Sequence, residues 1–385
     1  MYASAPLIPY HTLMQTSYTQ QEIDVFVRDA IGRVATGPEY SKDLSFDEAR
    51  RLMQHILDDV TDPVQAGIYL IALRMKRETE EENGGSLQAV LDSTDRVVAG
   101  VDSLVHIAEP YDGYMRGAPV TAFLPALLAA CGVPAVSHGL EEVGPKFGVT
   151  QRKVLRAAGI DVDSTPQQAA ERISQPDIGW SYVDQASFCK PLHDLVGLRK
   201  RMIKRPVLTT VEVLAKPICG RLSTHLITGY VHKPYPPVYE KLAKLAGFDS
   251  AAIIRGVEGG ITPALNKPAK YFDYQGLDGQ LQEVNVSPED CGVEQSQRCE
   301  PVPSNCISID QEGESVVDVA ALSQASADAG LAALDGKEGA ARDCLLYSAA
   351  IVLKHLGKAE SLSQGAQLAS QAIASGRAAQ CFKNS

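Results

Sequence analysis

The stretch "AEPYDGYMRGAP", Ala108 to Pro119, sets two carboxylates, two tyrosines and an arginine between a short apolar run, "LVHIA", and a long apolar, helix-like run. In an α/β protein a phosphate-binding loop stands at that place, and such loops are glycine-rich because backbone amides must approach the anion closely. Here only Gly113 and Gly117 are present, and Tyr111, Tyr114 and Arg116 stand where small residues would be expected. Aromatic and cationic side chains at a loop mouth suit stacking on nucleobases; two tyrosines in a loop also suit plain local packing.

A second group with chemical potential is "RKRMIKR", Arg199 to Arg205. Helical spacing puts Arg201, Lys204 and Arg205 on one face and Leu195, Leu198 and Met202 on another, with Pro206 ending the run. Between Lys190 and Leu245 there are eleven Lys and Arg against three Asp and Glu, a local +8 in a chain of net −11. Lys200, Arg201, Lys204 and Arg205 therefore form either a phosphate-backbone groove or a solvated helix face. His138, followed by Gly139, reads as a ligand-facing or a core histidine.

Acidic net charge argues against indiscriminate nucleic-acid binding by the whole surface and leaves room for a local basic patch. None of the eight cysteines forms a C-x-x-C pair, and the spacing of Cys291, Cys299 and Cys306 does not suit zinc. Reduced thiols and a cytoplasmic setting are expected, with a disulfide among those three as the alternative. The start, "MYASAPLIPYHTLMQ", lacks the basic and apolar regions of a secretory signal. Ala118 to Val136 is uncharged and span-length, but Pro125, Gly132 and Pro134 break it into helix, turn and strand, so no membrane association is expected.

The elements that must position these groups change type along the chain. "SFDE", Ser45 to Glu48, is a capping box, followed by Leu52, Met53, Ile56, Leu57 and Val60 at helical spacing. Asp62-Pro63 starts another helix, and Gly84-Gly85 is expected to interrupt the helical block. From about residue 103, strand candidates "LVHIA", "VPAV", "THLITGYV" and "AAIIR" alternate with helical stretches at Thr121–Ala130, Thr150–Ala158, Pro166–Ile173 and Tyr239–Ala246. That alternation predicts an α/β domain with a mostly parallel central sheet covered on both faces. Tyr274 to Pro303 reads as a long polar surface excursion, "NCISID" as a return to the sheet, and three helices close the chain.

The opening block, "LSFDEARRLMQHILDDVTDPVQAGIYLIALRMKRETEEENGG", resembles the helical domain of the anthranilate phosphoribosyltransferase family, through Gln65, Ala72, Leu73, Arg74, Lys76, Glu78 and Thr79. The likeness continues through "AACGVPAVSHG", "VGPKFGVTQRKVLRAAGIDV" and "KPLHDLVGLRKRMIKRP" and spans about residues 20 to 380. It looks most like a diverged branch of paralogues, some of them nucleic-acid binders. The resemblance implies an N-terminal tail (1–20), a small helical domain (21–100, completed near 188–205) and a larger α/β domain (101–385). It also implies a homodimer formed through the helical domain and an active site in the interdomain cleft.

Family members cradle phosphoribosyl pyrophosphate on the amides of "GTGGD", which aligns here with "AEPYDG". Pro110 has no amide hydrogen, Tyr111 is bulky and Glu109 is anionic; only Asp112-Gly113 survives. Two lost charge-assisted hydrogen bonds would weaken binding by roughly two to four orders of magnitude. The family's Asp-Glu magnesium pair is absent, leaving Glu258 as the one carboxylate after "AAIIR" for a Mg2+ ion. Ser137, Leu140 and Glu141 replace the "KHGNR" lysine, asparagine and arginine, while His138, Gly139 and Lys146 remain; Lys146 matches a phosphate-contacting lysine and Arg199 an anthranilate-holding arginine. The expected ligand site is thus Asp112, Gly113, Arg116, His138, Gly139, Lys146 and Arg199, taking a phosphate- or ribose-bearing small molecule. The alternative is a non-catalytic binder of single-stranded nucleic acid using Lys200, Arg201, Lys204, Arg205, Tyr111 and Tyr114. No nucleophile or acceptor is legible, and ordinary anthranilate transfer is not expected.

Overall fold

The computed structural model describes residues 18–37 and 39–385; the expected tail lies, over residues 1–17, outside them. Four helices open the chain: α1 (Gln20–Val34), α2 (Phe46–Leu57), α3 (Pro63–Lys76) and α4 (Glu80–Asp92). Each start carries its own stop on fraying. Thr19, Ser45 and Thr79 form capping boxes with Glu22, Glu48 and Glu82, and Asp62 caps α3 ahead of Pro63.

Gly84 and Gly85 do not interrupt the helical block; they lie inside α4. A Cβ on Gly85 would stand 2.3 Å from the Phe46 carbonyl oxygen and 2.7 Å from the Arg50 nitrogen of α2. Two helix backbones meet there, and only hydrogen fits between them. Close approach, not chain reversal, explains this glycine.

Seven strands make the central sheet: β1 (Ser103–Ala108), β2 (Ala135–Gly139), β3 (Trp180–Asp184), β4 (Ser223–Gly229), β5 (Ser250–Ile254), β6 (Ala269–Gln275) and β7 (Gln282–Val286). Their order is β3-β2-β1-β4-β5-β6-β7, parallel through β5 and antiparallel at β6 and β7. Side chains alternate across it. Leu104 and Leu226 join one core with the four N-terminal helices, while Val105, Ile107 and Ile227 join another with the C-terminal helices Val319–Leu334, Ala340–His355 and Leu362–Ala374. Burial on both faces is what a parallel sheet needs.

Two expectations are corrected. The polar stretch 274–303 is not wholly a surface excursion, since it contains β7. "NCISID" does not rejoin the sheet: Ile307–Ile309 pairs with Ser315–Val317 in a separate antiparallel hairpin. All eight cysteines are free thiols. Among the described residues, no helix is long and apolar enough to cross a membrane.

Candidate functional site

Parallel strands β1 and β4 end side by side, and their C-terminal loops face the end of α3. A cleft of about 430 Å³ opens between them, lined from the helical side by Arg74 and Glu78 and from the sheet side by residues 108–112, Met115, Arg116, Lys146, Thr228 to His232, Glu258 and Gly259. Clefts at strand carboxyl ends, of some 300–1,000 Å³, are where α/β folds take small ligands.

The loop after β1 is built inward. Glu109 is 2% exposed, accepts a hydrogen bond from the Tyr114 hydroxyl, and leaves Oε1 without a partner. Burial pushes its carboxyl up from the usual range, toward the neutral acid. Tyr111 also turns into the core, its hydroxyl 2.5 Å from His138 Nδ1. Burial holds His138 down at about 3, so its ring is neutral where it shares this hydrogen bond with the tyrosine hydroxyl. Gly113 (φ 77°) lets the loop close on the next one: a Cβ there would meet the Gly148 carbonyl carbon at 2.6 Å, and Tyr114 and Val149 exchange backbone hydrogen bonds of 3.0 and 2.9 Å.

Charge in the cleft runs as a chain of contacts. Arg74 donates to the Arg205 carbonyl (2.6 Å). Arg205 grips the Asp112 carboxylate through Nε (3.0 Å) and Nη2. Lys146 Nζ stands 3.3 Å from Asp112 and 3.8 Å from Glu258. Glu258, itself in the left-handed region at φ 54°, accepts the backbone N–H groups of Met115 (3.1 Å) and Arg116 (2.7 Å). Glu78 lines the same space, its carboxyl raised by burial. Opposite lies an aromatic wall of Tyr230, Tyr235 and Tyr239 with His232.

The structure thus gathers Asp112, Arg116, Lys146 and Glu258 into one cleft, with Gly113 shaping its loop. Other expected residues lie elsewhere. Arg199 is 1% exposed and makes a two-pronged ion pair with Glu212 (2.6 and 2.8 Å), so it braces the interior and does not reach the cleft. His138 and Gly139 are buried at the end of β2 and are not in the lining. Tyr114 is buried, and Tyr111, though part of the wall, is only 3% exposed; neither presents a free ring face for stacking. The basic run is not one helix: Val196–Met202 ends at Ile203 in the left-handed region (φ 65°). That turn separates exposed Lys200, Arg201 and Lys204 from Arg205, which goes into the cleft.

Residues of the helical motif divide in the same way. Lys76 pairs with buried Glu82 (2.8 Å) and Thr79 caps α4, whereas Arg74 and Glu78 line the cleft. The aromatic wall was not legible in advance. Tyr230, Tyr235 and Tyr239 sit at the end of β4 and on the helix Tyr235–Leu245, and one reach of helix carrying two tyrosines four apart was the signal available.

For a magnesium ion the cleft offers two carboxylates, Asp112 and Glu258. Magnesium is usually bound through one or two carboxylates together with phosphate oxygens and waters. Asp112 is already held by Arg205 and Lys146, Glu258 by two amides and Lys146, and no group of three or more His, Cys, Asp or Glu among the described residues could hold a metal.

Comparison with known proteins agrees with this architecture. Residues 28–94 match the helical bundle domain, and residues 118–379 the a/b domain, of a glycosyl transferase family. An anthranilate phosphoribosyltransferase of Sphingopyxis alaskensis is 26% identical over 90% of this chain and 97% of its own length. An uncharacterised protein of Aquifex aeolicus is 26% identical over 84% and 91%. The fold matches anthranilate phosphoribosyltransferase of Saccharomyces cerevisiae solved in complex with PRPP and Mg (TM-score 0.69, 16% identity, 94% of this chain and 96% of that one). It also matches the Thermus thermophilus enzyme (TM-score 0.68, 17% identity, 93% and 97%).

Proposed function

From a chain that belongs to this glycosyl transferase family, with both its helical bundle and its α/β domain, we infer a diverged phosphoribosyltransferase-like protein whose interdomain cleft binds a phosphate- or ribose-bearing ligand. The observation that carries this reading is the convergence of Arg116, Lys146 and Arg205 on one cleft whose carboxylates, Asp112 and Glu258, hold two of them in place. Pre-positioned cations lose little freedom when an anion arrives. The aromatic wall offers flat apolar surface to a ring or sugar.

Relatives named anthranilate phosphoribosyltransferase, and a neighbour solved with PRPP and Mg, support a ribose phosphate as the ligand class. Ordinary anthranilate transfer is disfavoured by Pro110 and Tyr111 in the cradle and by the removal of Arg199 from the cleft. If a glycosyl group is transferred, Lys146, Arg116 and Arg205 face the departing phosphate while positive charge grows on the sugar. The protein would work as a homodimer paired through its helical domain.

Thermal unfolding with millimolar phosphoribosyl pyrophosphate tests this. Ligand at 100 times its dissociation constant stabilises by about 2.7 kcal/mol, so a clear rise in Tm is expected, with or without magnesium. An unchanged Tm contradicts the reading. A second reading, a non-catalytic binder of single-stranded nucleic acid, draws on exposed Lys200, Arg201 and Lys204 alone, because Tyr111 and Tyr114 are buried. It requires binding that weakens steeply with salt.

A further inference from the structure

Strand β5 runs into a turn that serves two cavities. Glu258 and Gly259 line the cleft, while Gly256 and Val257 line a second cavity of about 470 Å³. Arg255, Lys267, Lys270 and Arg298 stand around this second space, over a floor that includes Val257 and Ala264. The chain has 47 acidic residues against 36 basic ones, yet no carboxylate lines this cavity. Lys270 is paired with Glu283 (2.6 Å), but Arg255, Lys267 and Arg298 have neither an ion-pair nor a side-chain hydrogen-bond partner among the described residues.

The wall is fixed as well as charged. The Leu265 amide donates to the Arg298 carbonyl (2.9 Å), and Asn266 Nδ2 donates to the Ser296 carbonyl (3.1 Å), which ties the segment bearing Arg298 to the loop bearing Lys267. Three uncompensated cations on different segments repel one another. Three cations on three separate segments around a cavity of about 470 Å³ match several anionic groups better than one. We propose that this cavity is a second anion site, separate from the cleft, for a small ligand carrying at least two phosphate groups.

Inorganic tripolyphosphate is the probe, titrated calorimetrically into four forms of the full chain: the wild type, the cleft variant Lys146→Ala/Arg205→Ala, the cavity variant Arg255→Ser/Arg298→Ser and the combination of the two. The cleft variant is expected to keep one tripolyphosphate site, weakened by added salt and tighter than for orthophosphate. The same two serine substitutions added to the cleft variant should lower that affinity about tenfold or more, as for the loss of two solvent-exposed charge contacts. Far-ultraviolet circular dichroism and melting confirm folding of each form. Absence of binding in the cleft variant, affinity unchanged by the serine substitutions, orthophosphate binding as tightly as tripolyphosphate, or binding confined to oligonucleotides would each overturn the assignment. Because cleft and cavity are read separately, failure of the cleft to take phosphoribosyl pyrophosphate leaves this test intact.

Discussion

The Lys146 ammonium lies 3.3 Å from the Asp112 carboxylate, and both line the cleft between the strand ends and the helical bundle. A fixed organic cation beside a carboxylate does part of what a metal does: it offsets negative charge on a bound phosphate. Lys146→Ala should weaken phosphate-ligand binding by about one to two orders of magnitude, the worth of one charge-assisted contact of about 1.5–3 kcal/mol. Titration of the variant checks this, and Lys146→Arg should recover part of the loss.

Glu258 holds the amides of Met115 and Arg116, two donors aimed into the cleft. A bound phosphate would feel that carboxylate as a like charge. Glu258→Gln keeps an accepting oxygen for the amides and removes the charge. Anion affinity should rise, by about tenfold for a relieved repulsion near 1.4 kcal/mol; a fall in affinity, measured by the same titration, would show that Glu258 contacts the ligand favourably.

Arg199 and Glu212 are a buried pair, so removing one partner strands the other's charge. Arg199→Met should cost about 3–5 kcal/mol of stability by denaturant unfolding, and the double variant Arg199→Met/Glu212→Leu should recover most of it. Ligand affinity should be the same in the double variant as in the wild type, since neither side chain lines the cleft.

Gly85→Ala sets two effects against each other. Helix propensity favours alanine by about 1 kcal/mol, while forcing a methyl to 2.3 Å from the Phe46 carbonyl spreads α2 from α4. Overpacking costs typically about 1–3 kcal/mol, and backbone atoms cannot swing aside, so net destabilisation is expected in chemical denaturation. Stabilisation would mean the two helices separate freely.

Burial pushes His138 down to about 3 and His225 to about 4, and His106 falls well below its usual value. Unfolded histidines titrate near about 6.5. Between those values the unfolded chain binds more protons than the folded one, so stability falls as pH drops from about 6.5 toward 4 and is fully present above. Replacing His225 with Gln should flatten that limb of a stability-versus-pH curve.

Much of this was written plainly in the sequence where local rules act. Ser45, Glu48 and Asp62-Pro63 mark helix starts through their own backbone amides, and the parallel strands read as apolar runs because both faces are buried. Legibility failed where distant contacts decide. Gly85 is small because of Phe46, almost forty residues earlier, and β7 is polar because it is an exposed edge strand. Arg199 and Arg205 look alike in a basic run; only the left-handed turn at Ile203 sends one to Glu212 and the other to Asp112.

The most direct test of the central claim is calorimetric titration of phosphoribosyl pyrophosphate in the presence of a magnesium chelator, on the wild type and on Lys146→Ala. Binding by the wild type without magnesium, weakened by about one to two orders of magnitude in the variant, is the predicted result. Binding that appears only when magnesium is added, or is equal in the two proteins, would contradict it.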